Sequence, residues 1–288
     1  MITASLVKEL RETTGVGMME CKNALKETEG DIEAAIKLLR EKGQAKAEKK
    51  ASRDAKEGIV AAQIDESGKS GIIVEMNCET DFVAKNENFQ AFVADVAQTI
   101  LASDAADLDA ALALPKGEGN LDEFIKTKVL ELGENLKLRR FERLSLGGEG
   151  AVASYIHLGG KVGVLIAVSA GKAESASSDS FRDLVKDLTL HIAASAPAGL
   201  GRDDIPADLV EAEKDIFRKQ MEGQNKPADI LDKIITGKLG KFYSEHCLLE
   251  QGFVKDPDTS IQGLLDAQGK EIGDTLAIES FIRFQLGQ

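Results

Sequence analysis

The feature that most constrains the fold is an internal repeat with a constant offset of 92 residues, from Gly58 to Gly150. Self-similarity at a fixed period indicates a duplicated structural unit. The matching positions include several glycines and the apolar stripe of a helix; they pair Gly58-Ile-Val-Ala-Ala-Gln-Ile64 with Gly150-Ala-Val-Ala-Ser-Tyr-Ile156, Gly68-Lys69 with Gly160-Lys161, Gly71 with Gly163, and Phe89, Val93, Asp95 and Ile100 with Phe181, Val185, Asp187 and Ile192. The repeat therefore predicts a strand, a second strand and a helix that occur twice.

One connection differs between the two copies. In the first copy, the run Gly71-Ile-Ile-Val-Glu-Met76 predicts a buried strand and residues 88–101 predict a capped amphipathic helix. Opposite residues 79–87, the second copy has the small, polar connector Gly171-Lys-Ala-Glu-Ser-Ala-Ser-Ser-Asp179. The scaffold therefore does not require Phe82 or Val83. Because loops often carry function, we expect Phe82 to be an exposed functional side chain.

Length and composition indicate a soluble protein of two or three compact units, since 288 residues with 43% hydrophobic content can bury a substantial core. No apolar run approaches the roughly 20 residues of a membrane span, and the N-terminus lacks the pattern of a secretory signal. The three cysteines, Cys21, Cys78 and Cys247, are widely separated, which favours neither a disulfide framework nor a zinc site. These observations predict a cytoplasmic protein with no membrane partner.

The charge distribution argues against direct binding to nucleic acid. The formal net charge is −13, and residues 1–56 carry 12 Lys and Arg against 10 Asp and Glu, so this segment is +2 and the remainder is −15. An acidic body is a poor fit to phosphate backbones, which cationic side chains bind by releasing counterions. The basic segment at residues 42–56 is interpreted as a solvated linker helix, with a weak contact to an anionic surface as the alternative.

Residues 1–40 predict a module of three short helices that share one small core. Within it, Met18 and Met19 follow the glycines of Thr14-Gly-Val-Gly17. Flexible methionines beside glycines suit an adaptable binding surface, but the same side chains could equally fill the small core. The residues alone leave both interpretations open.

The rest of the chain predicts helices and strands around the second copy. A helix covers residues 121–132 and an edge strand with imperfect alternation follows at 133–143. Residues 207–221 and 228–238, separated by 223–227, predict a helical hairpin whose apolar surface either docks on the body or pairs with a second subunit. A helix around 261–265 and a strand at 280–286 close the chain, and this strand is expected to join the second sheet.

No motif predicts an enzyme, a bound cofactor or a metal site. A nucleophilic Cys78 with His157, His191 or His246 is conceivable, but Cys78 shares a strand face with apolar residues and is interpreted as a packed thiol. His191 is interpreted as a core imidazole. A cation site that uses the alternating polar side chains lacks the spacing and glycine of a calcium loop; these side chains are Glu75, Asn77, Glu79 and Asp81. There is also no phosphate loop or dinucleotide fingerprint.

The order of motifs along essentially the whole chain resembles the bacterial translation elongation factor Ts family. The motifs that carry the resemblance are Thr14-Gly-Val-Gly-Met-Met-Glu-Cys-Lys22, Asn77-Cys-Glu-Thr-Asp-Phe-Val-Ala-Lys85, Gly133-Glu-Asn135, Arg139-Arg140, Tyr155-Ile-His157, Gly163-Val-Leu-Ile166 and Phe281-Ile-Arg-Phe284. The resemblance implies a ubiquitin-associated-like helical domain with a basic linker at 1–56, core subdomain N at 57–145, core subdomain C at 146–200 and 241–288, and a hairpin used for dimerisation at 201–240. Some members carry a further C-terminal helix, and its contact is not expected here.

The resemblance also implies a function: guanine nucleotide exchange on elongation factor Tu, the expected partner, in translation elongation. In this family Asp81 and Phe82 would enter the GTPase domain, with Thr80 and Val83 shaping the loop, and would dislodge magnesium from bound GDP. Further contacts would come from Met18, Met19, Lys22 and His157, although His157 also suits an ordinary turn before Leu158-Gly-Gly160. Two alternatives are a ribosome- or RNA-associated factor without exchange activity and a Cys-dependent enzyme that uses Cys78.

Overall fold

The computed structural model of the protein describes residues 2–221 and 228–288. Its mixture of helices and antiparallel sheets is an α+β fold, as predicted. The chain begins with a three-helix module, continues through two units of similar construction, and inserts a pair of helices into the second unit. Within residues 2–221 and 228–288, no helix combines the length and the apolar content that crossing a membrane requires.

The N-terminal module contains three helices: α1 (Ala4–Thr14), α2 (Met18–Glu27) and α3 (Ile32–Lys50). Thr3 caps α1 by accepting a hydrogen bond from the backbone N–H of Leu6, and Gly15 ends the helix with a φ of 69°. The small core contains Leu10 and Leu25 and also Leu130, which belongs to the next unit of the chain. The module is therefore packed on the rest of the protein.

The first unit forms a sheet of order β1-β2-β5 with helices on one face. Its elements are β1 (Glu57–Ile64), β2 (Ser70–Cys78), α4 (Asp81–Ala84), α5 (Glu87–Leu101), α6 (Leu108–Leu112), β3 (Pro115–Lys116), β4 (Gly119–Asn120), α7 (Leu121–Leu132) and β5 (Lys137–Ser145). β2 is buried along almost its whole length because it is the central strand and both faces are covered. β5 is an edge strand, as predicted.

The basic linker does not form a separate solvated helix. α3 extends without a break to Lys50 and packs against α7. Gly43 lies so close to α7 that an added Cβ would be 3.2 Å from the Cα of Thr127, and Ala47 is buried in the core of the first unit. The interpretation of this segment as a solvated linker is therefore wrong for one face of the helix, because small residues there permit close helix packing.

The second unit forms a sheet of order β10-β7-β6. Its elements are β6 (Gly150–His157), β7 (Val162–Ala170), α8 (Ala173–Ala176), α9 (Asp179–Ser195), α10 (Ala207–Gln220), α11 (Ala228–His246), β8 (Gly252–Phe253), β9 (Asp256–Ser260), α12 (Ile261–Ile272) and β10 (Leu276–Gln285). The last strand pairs with β7, which confirms that it joins the second sheet. α9 and α12 cover the outer face of this sheet.

The duplication includes the third strand of each sheet, at a different offset. α7 and β5 of the first unit correspond to α12 and β10 of the second at an offset of 140 residues, from Leu121 to Ile261. Ile72 pairs with Arg143, and the equivalent Val164 pairs with Arg283. Each third strand also has one extra, bulged residue at the same place, Arg139 or Glu279.

The two sheets pack face to face, so that the core has the layer order helices, sheet, sheet, helices. The contact between the sheets contains Val60 and Ile73 of the first unit and Leu165 and Phe284 of the second, with other apolar side chains. Gly163 lies at this contact, where a Cβ would collide with Val60. The sheets approach closely because this position lacks a side chain.

The inserted helices have their own apolar contacts. The prediction of two helices is confirmed, but α11 continues to His246 instead of ending at residue 238. Leu239 and Phe242 are buried beside Ile235 and extend the apolar face through the predicted end. The segment 223–227, predicted to connect the helices, lies outside the described residues.

Candidate functional site

Phe82 is the most exposed large apolar side chain among the described residues, with 83% of its surface accessible. It lies on α4, a single helical turn where the sequence predicted only a loop. The Thr80 hydroxyl caps this turn by accepting from the backbone N–H of Val83 at 3.3 Å, while Val83 and Ala84 pack against the core. The turn is thus anchored on one side and presents Phe82 to solvent, an arrangement typical of an aromatic side chain that binds a partner.

Asp81 lies beside Phe82 on the same turn and stays accessible. Its carboxylate accepts a hydrogen bond from Lys85 Nζ at 2.7 Å, one helical turn away. This hydrogen bond lowers the pKa of Asp81, which therefore remains ionised at neutral pH. Because exposed ion pairs are weak, a partner can replace Lys85 at little cost.

A set of hydrogen bonds ties this turn to the connection between α7 and β5. Glu134 Oε2 accepts from the backbone N–H groups of Glu79 and Thr80, each at 3.0 Å, and Glu134 Oε1 accepts from the Thr80 hydroxyl at 2.6 Å. In return, the Glu79 carboxylate accepts from the backbone N–H of Asn135 at 2.7 Å. The Asn135 amide donates to the carbonyl of Arg53, just after α3. Three separate parts of the chain therefore meet behind Phe82.

Cys78 is a packed thiol, as predicted. Its side chain is buried with Val74 and Met76 and donates to the carbonyl of Thr80 at 3.1 Å. Burial raises the pKa of Cys78 to about 12, which is opposite to the shift that a nucleophilic cysteine needs. No hydrogen bond among the described residues joins Cys78 to a histidine.

His191 is a core imidazole, which confirms its interpretation. It is fully buried, and its ring nitrogens contact the Gln251 side chain at 2.9 Å and the backbone N–H of Val254 at 3.3 Å. Because the N–H of Val254 can only donate, Nδ1 accepts and Nε2 carries the proton. Burial lowers the pKa of His191, so the ring is held neutral.

Glu75, one of the four polar side chains considered as cation ligands, is committed elsewhere. It is fully buried and accepts from Arg139 at 2.9 Å, Arg140 at 2.8 Å and the backbone N–H of Gly287 at 3.0 Å. Burial opposes its ionisation, but these hydrogen bonds outweigh burial and lower the pKa of Glu75. In the parts of the chain that the structure describes, no group of His, Cys, Asp and Glu is arranged to hold a metal ion.

The other expected contact residues lie on two further surfaces. Met18 and Met19, at the start of α2, are 54% and 66% exposed, and Lys22 beside them is exposed too. The interpretation that these methionines fill the small core is therefore wrong, and their role in a binding surface stays a prediction.

His157 lies at the end of β6 and is exposed, with its Nδ1 at 2.8 Å from the Tyr155 hydroxyl. Its carbonyl accepts from the backbone N–H of Gly160 at 3.2 Å, as a turn residue would, and Leu158 beyond it is 71% exposed. The geometry fits both a turn and a contact residue.

Comparison with known proteins identifies the family. The sequence model described as Elongation factor TS matches residues 79–288. Proteins named Elongation factor Ts from Trichlorobacter lovleyi and Nitratiruptor sp. are each 45% identical to this chain, over 291 and 287 residues, and that from Clostridium perfringens is 46% identical over 289 residues. These alignments cover 100% of this chain and 93%, 93% and 94% of the relatives. The chain belongs to the elongation factor Ts family.

Proposed function

We propose that the protein is the guanine nucleotide exchange factor for elongation factor Tu and acts in translation elongation in the cytoplasm. The observation that carries the proposal is the exposed Phe82 on an anchored helical turn. The whole chain also aligns with relatives named Elongation factor Ts. The protein acts by binding and needs no catalytic residue or cofactor of its own.

In this proposal, the turn of Thr80, Asp81, Phe82 and Val83 enters the GTPase domain. Phe82 inserts as a wedge, and Asp81 offers a carboxylate that competes for hydrogen bonds of the closed nucleotide site. The magnesium ion on the partner's GDP needs near-octahedral oxygen ligands at about 2.0–2.1 Å, so a small displacement weakens its binding. Burial of one Phe contributes about 1.5–3 kcal/mol, enough to bias this equilibrium together with the other contacts.

The exchange reaction requires reciprocal coupling between the two ligands of elongation factor Tu. If this protein lowers the affinity of elongation factor Tu for GDP by some factor, GDP lowers the affinity of elongation factor Tu for this protein by the same factor. Coupling free energies of about 1–3 kcal/mol are typical. Met18, Met19 and Lys22 on α2 and His157 at the end of β6 supply further contacts. Their exposure supports this role.

The proposed domains are a ubiquitin-associated-like domain with its linker at 1–56, core subdomain N at 57–145, core subdomain C at 146–200 and 241–288, and a helical hairpin at 201–240. The hairpin is the proposed contact of a homodimer. Exposed apolar side chains on its two helices support this contact; they are Leu209, Ile216 and Ile230. Sedimentation of the wild-type protein and of a Leu209→Ser, Ile216→Ser variant tests it, with a dimer expected only for the wild type.

Release of fluorescent GDP from purified elongation factor Tu tests the exchange function. We expect the protein to accelerate release in a concentration-dependent manner. The Phe82→Ala variant should be much less effective at the same concentration. Identical release rates with and without the wild-type protein would refute the proposal.

A further inference from the structure

Both units hold the connection between their second strand and their long helix with an acidic side chain from the same structural position. In the first unit this side chain is Glu134, which follows the glycine cap of α7. In the second it is Asp274, which follows the glycine cap of α12 at the 140-residue offset. Asp274 accepts from the backbone N–H of Lys172 at 3.0 Å, and Lys172 is the repeat equivalent of Thr80. The acidic clamp is therefore a property of the duplicated unit.

The clamp contacts different residues in the unit that carries Phe82. Glu134 accepts three hydrogen bonds from Glu79 and Thr80, whereas Asp274 accepts from the backbone N–H of Lys172 and from the side chain of Ser175 in the equivalent connection. The first unit adds the reciprocal bond from Asn135 to Glu79. Lys172 makes no capping hydrogen bond with its side chain, while Thr80 does. In the first unit, the bonds of Glu134 and Asn135 converge on Glu79 and Thr80, the two residues that precede Asp81 and Phe82.

We propose that Glu134 is a positioning residue for nucleotide exchange, which fixes α4 so that Phe82 is presented to the partner in one orientation. This inference rests on the proposed exchange function. An unrestrained connection would sample many conformations, some with the apolar ring folded back onto the protein surface. Ordering it at the interface would then consume part of the binding free energy. The bonds to Glu134 establish that order before the partner arrives.

Three variants separate this positioning role from a general effect on stability. Glu134→Ala removes all three bonds. Glu134→Gln keeps a carbonyl oxygen for the two backbone N–H groups, and its amide can donate to the Thr80 hydroxyl. Asp274→Ala is the matched control, because it removes the same kind of clamp from the unit without Phe82.

The experiment measures GDP release from elongation factor Tu, thermal unfolding, and hydrogen exchange at the backbone N–H groups of Glu79 and Thr80 for each variant. For Glu134→Ala we expect faster hydrogen exchange at both groups and at least a fivefold loss of exchange efficiency, a change of about 1 kcal/mol. Glu134→Gln should restore efficiency to within about twofold of wild type, and Asp274→Ala should retain it although its unfolding temperature falls.

A double-mutant cycle gives a further readout. Once Phe82 is replaced by Ala, the additional Glu134→Ala change should have little effect on GDP release, because there is no ring left to position. Wild-type efficiency in Glu134→Ala, or an equal loss in Asp274→Ala, would overturn the inference while leaving the exchange function intact. A wild-type protein that does not accelerate GDP release would instead overturn the proposed function itself.

Discussion

The two connections between strand and helix, at residues 79–87 and 171–179, show the same backbone design with different chemistry. Each contains a single helical turn, α4 or α8, and each is held by an acidic side chain. At the position of Phe82 the second copy has Glu174, and at that of Asp81 it has Ala173. The helical turn therefore belongs to the scaffold, whereas the exposed ring of Phe82 does not. This difference supports the proposal that Phe82 contacts a partner outside this chain.

Substitutions at a buried residue that both copies share should have the largest effects on the free energy of unfolding, and these effects should be similar in the two copies. Phe89 and Phe181 are equivalent and almost completely buried. Phe89→Ala and Phe181→Ala should each lower the free energy of unfolding by about 3–5 kcal/mol, because each leaves a cavity in a packed core. Chemical denaturation measures both values. A cost below about 1 kcal/mol at either position would show that the two cores are not equivalent.

At Phe82, where the copies differ, a substitution should lower exchange activity without lowering stability. Phe82→Ala should reduce the efficiency of GDP release by tens-fold, equivalent to about 1.5–3 kcal/mol for one Phe contact. Its free energy of unfolding should stay within about 0.5 kcal/mol of wild type, as for other surface substitutions. The control is Glu174→Ala, which should change neither the efficiency of GDP release nor the free energy of unfolding. A large loss of stability in Phe82→Ala would identify the ring as part of the core.

The third strands of the two sheets carry equivalent arginines, and replacing them should have an effect of intermediate size on stability. Arg143 donates to three carbonyl groups at the end of α5, at 2.7–3.0 Å, whereas the equivalent Arg283 reaches one carbonyl at the end of α9, at 3.4 Å. Arg143→Met should therefore cost about 1–2 kcal/mol of unfolding free energy, and Arg283→Met should cost less. Denaturation curves for the two variants test this order. The reverse order would show that these hydrogen bonds do not determine the difference.

The smallest expected difference concerns pH. His191 is held neutral by burial, whereas its equivalent in the first copy is Thr99. Because the pKa of His191 is lowered on folding, the unfolded chain binds the proton first, and stability should fall as pH drops below about 6.5. Unfolding between about pH 7 and pH 5 should show this slope in the wild type and a smaller slope in His191→Gln. The carboxylates whose pKa values are lowered in the folded protein affect the pH dependence of stability only at pH values below this range. Equal slopes would exclude His191 as the cause.

Two kinds of sequence signal predicted parts of the fold correctly: the repeat at the 92-residue offset, and local helix and strand patterns. The helix at 121–132 was predicted with its bounds, and the comparison of copies predicted that Phe82 is exposed. The alternation of β5 was hard to interpret because the bulge at Arg139 shifts the phase, which brings Leu138 and Phe141 onto the core side. Sequence reasoning therefore detected this strand but not its pairing.

Two features depend on contacts that no local pattern contains. The carboxylate of Glu134 reaches residues that are more than fifty positions earlier in the chain, and the motif Gly133-Glu-Asn135 gave no sign of its target. The offset of 140 residues was missed because the inserted helices break the register after α9. One signal was available for the docking of α3: Gly43 and Ala47, four residues apart, form a small-residue face within a charged helix.

The late position of β10 in the chain has a consequence for folding. The first unit is complete in sequence once Ser145 has been made, but β7, the central strand of the second sheet, acquires its second partner only when Leu276–Gln285 is available. Contacts between such distant segments form slowly, because a long loop must close first. During synthesis, the first unit can therefore fold while the second still has an unpaired strand edge. The hydrogen bond from Gly287 to Glu75 can form only after β10 has been made, and it then joins the segment that follows β10 to the first unit.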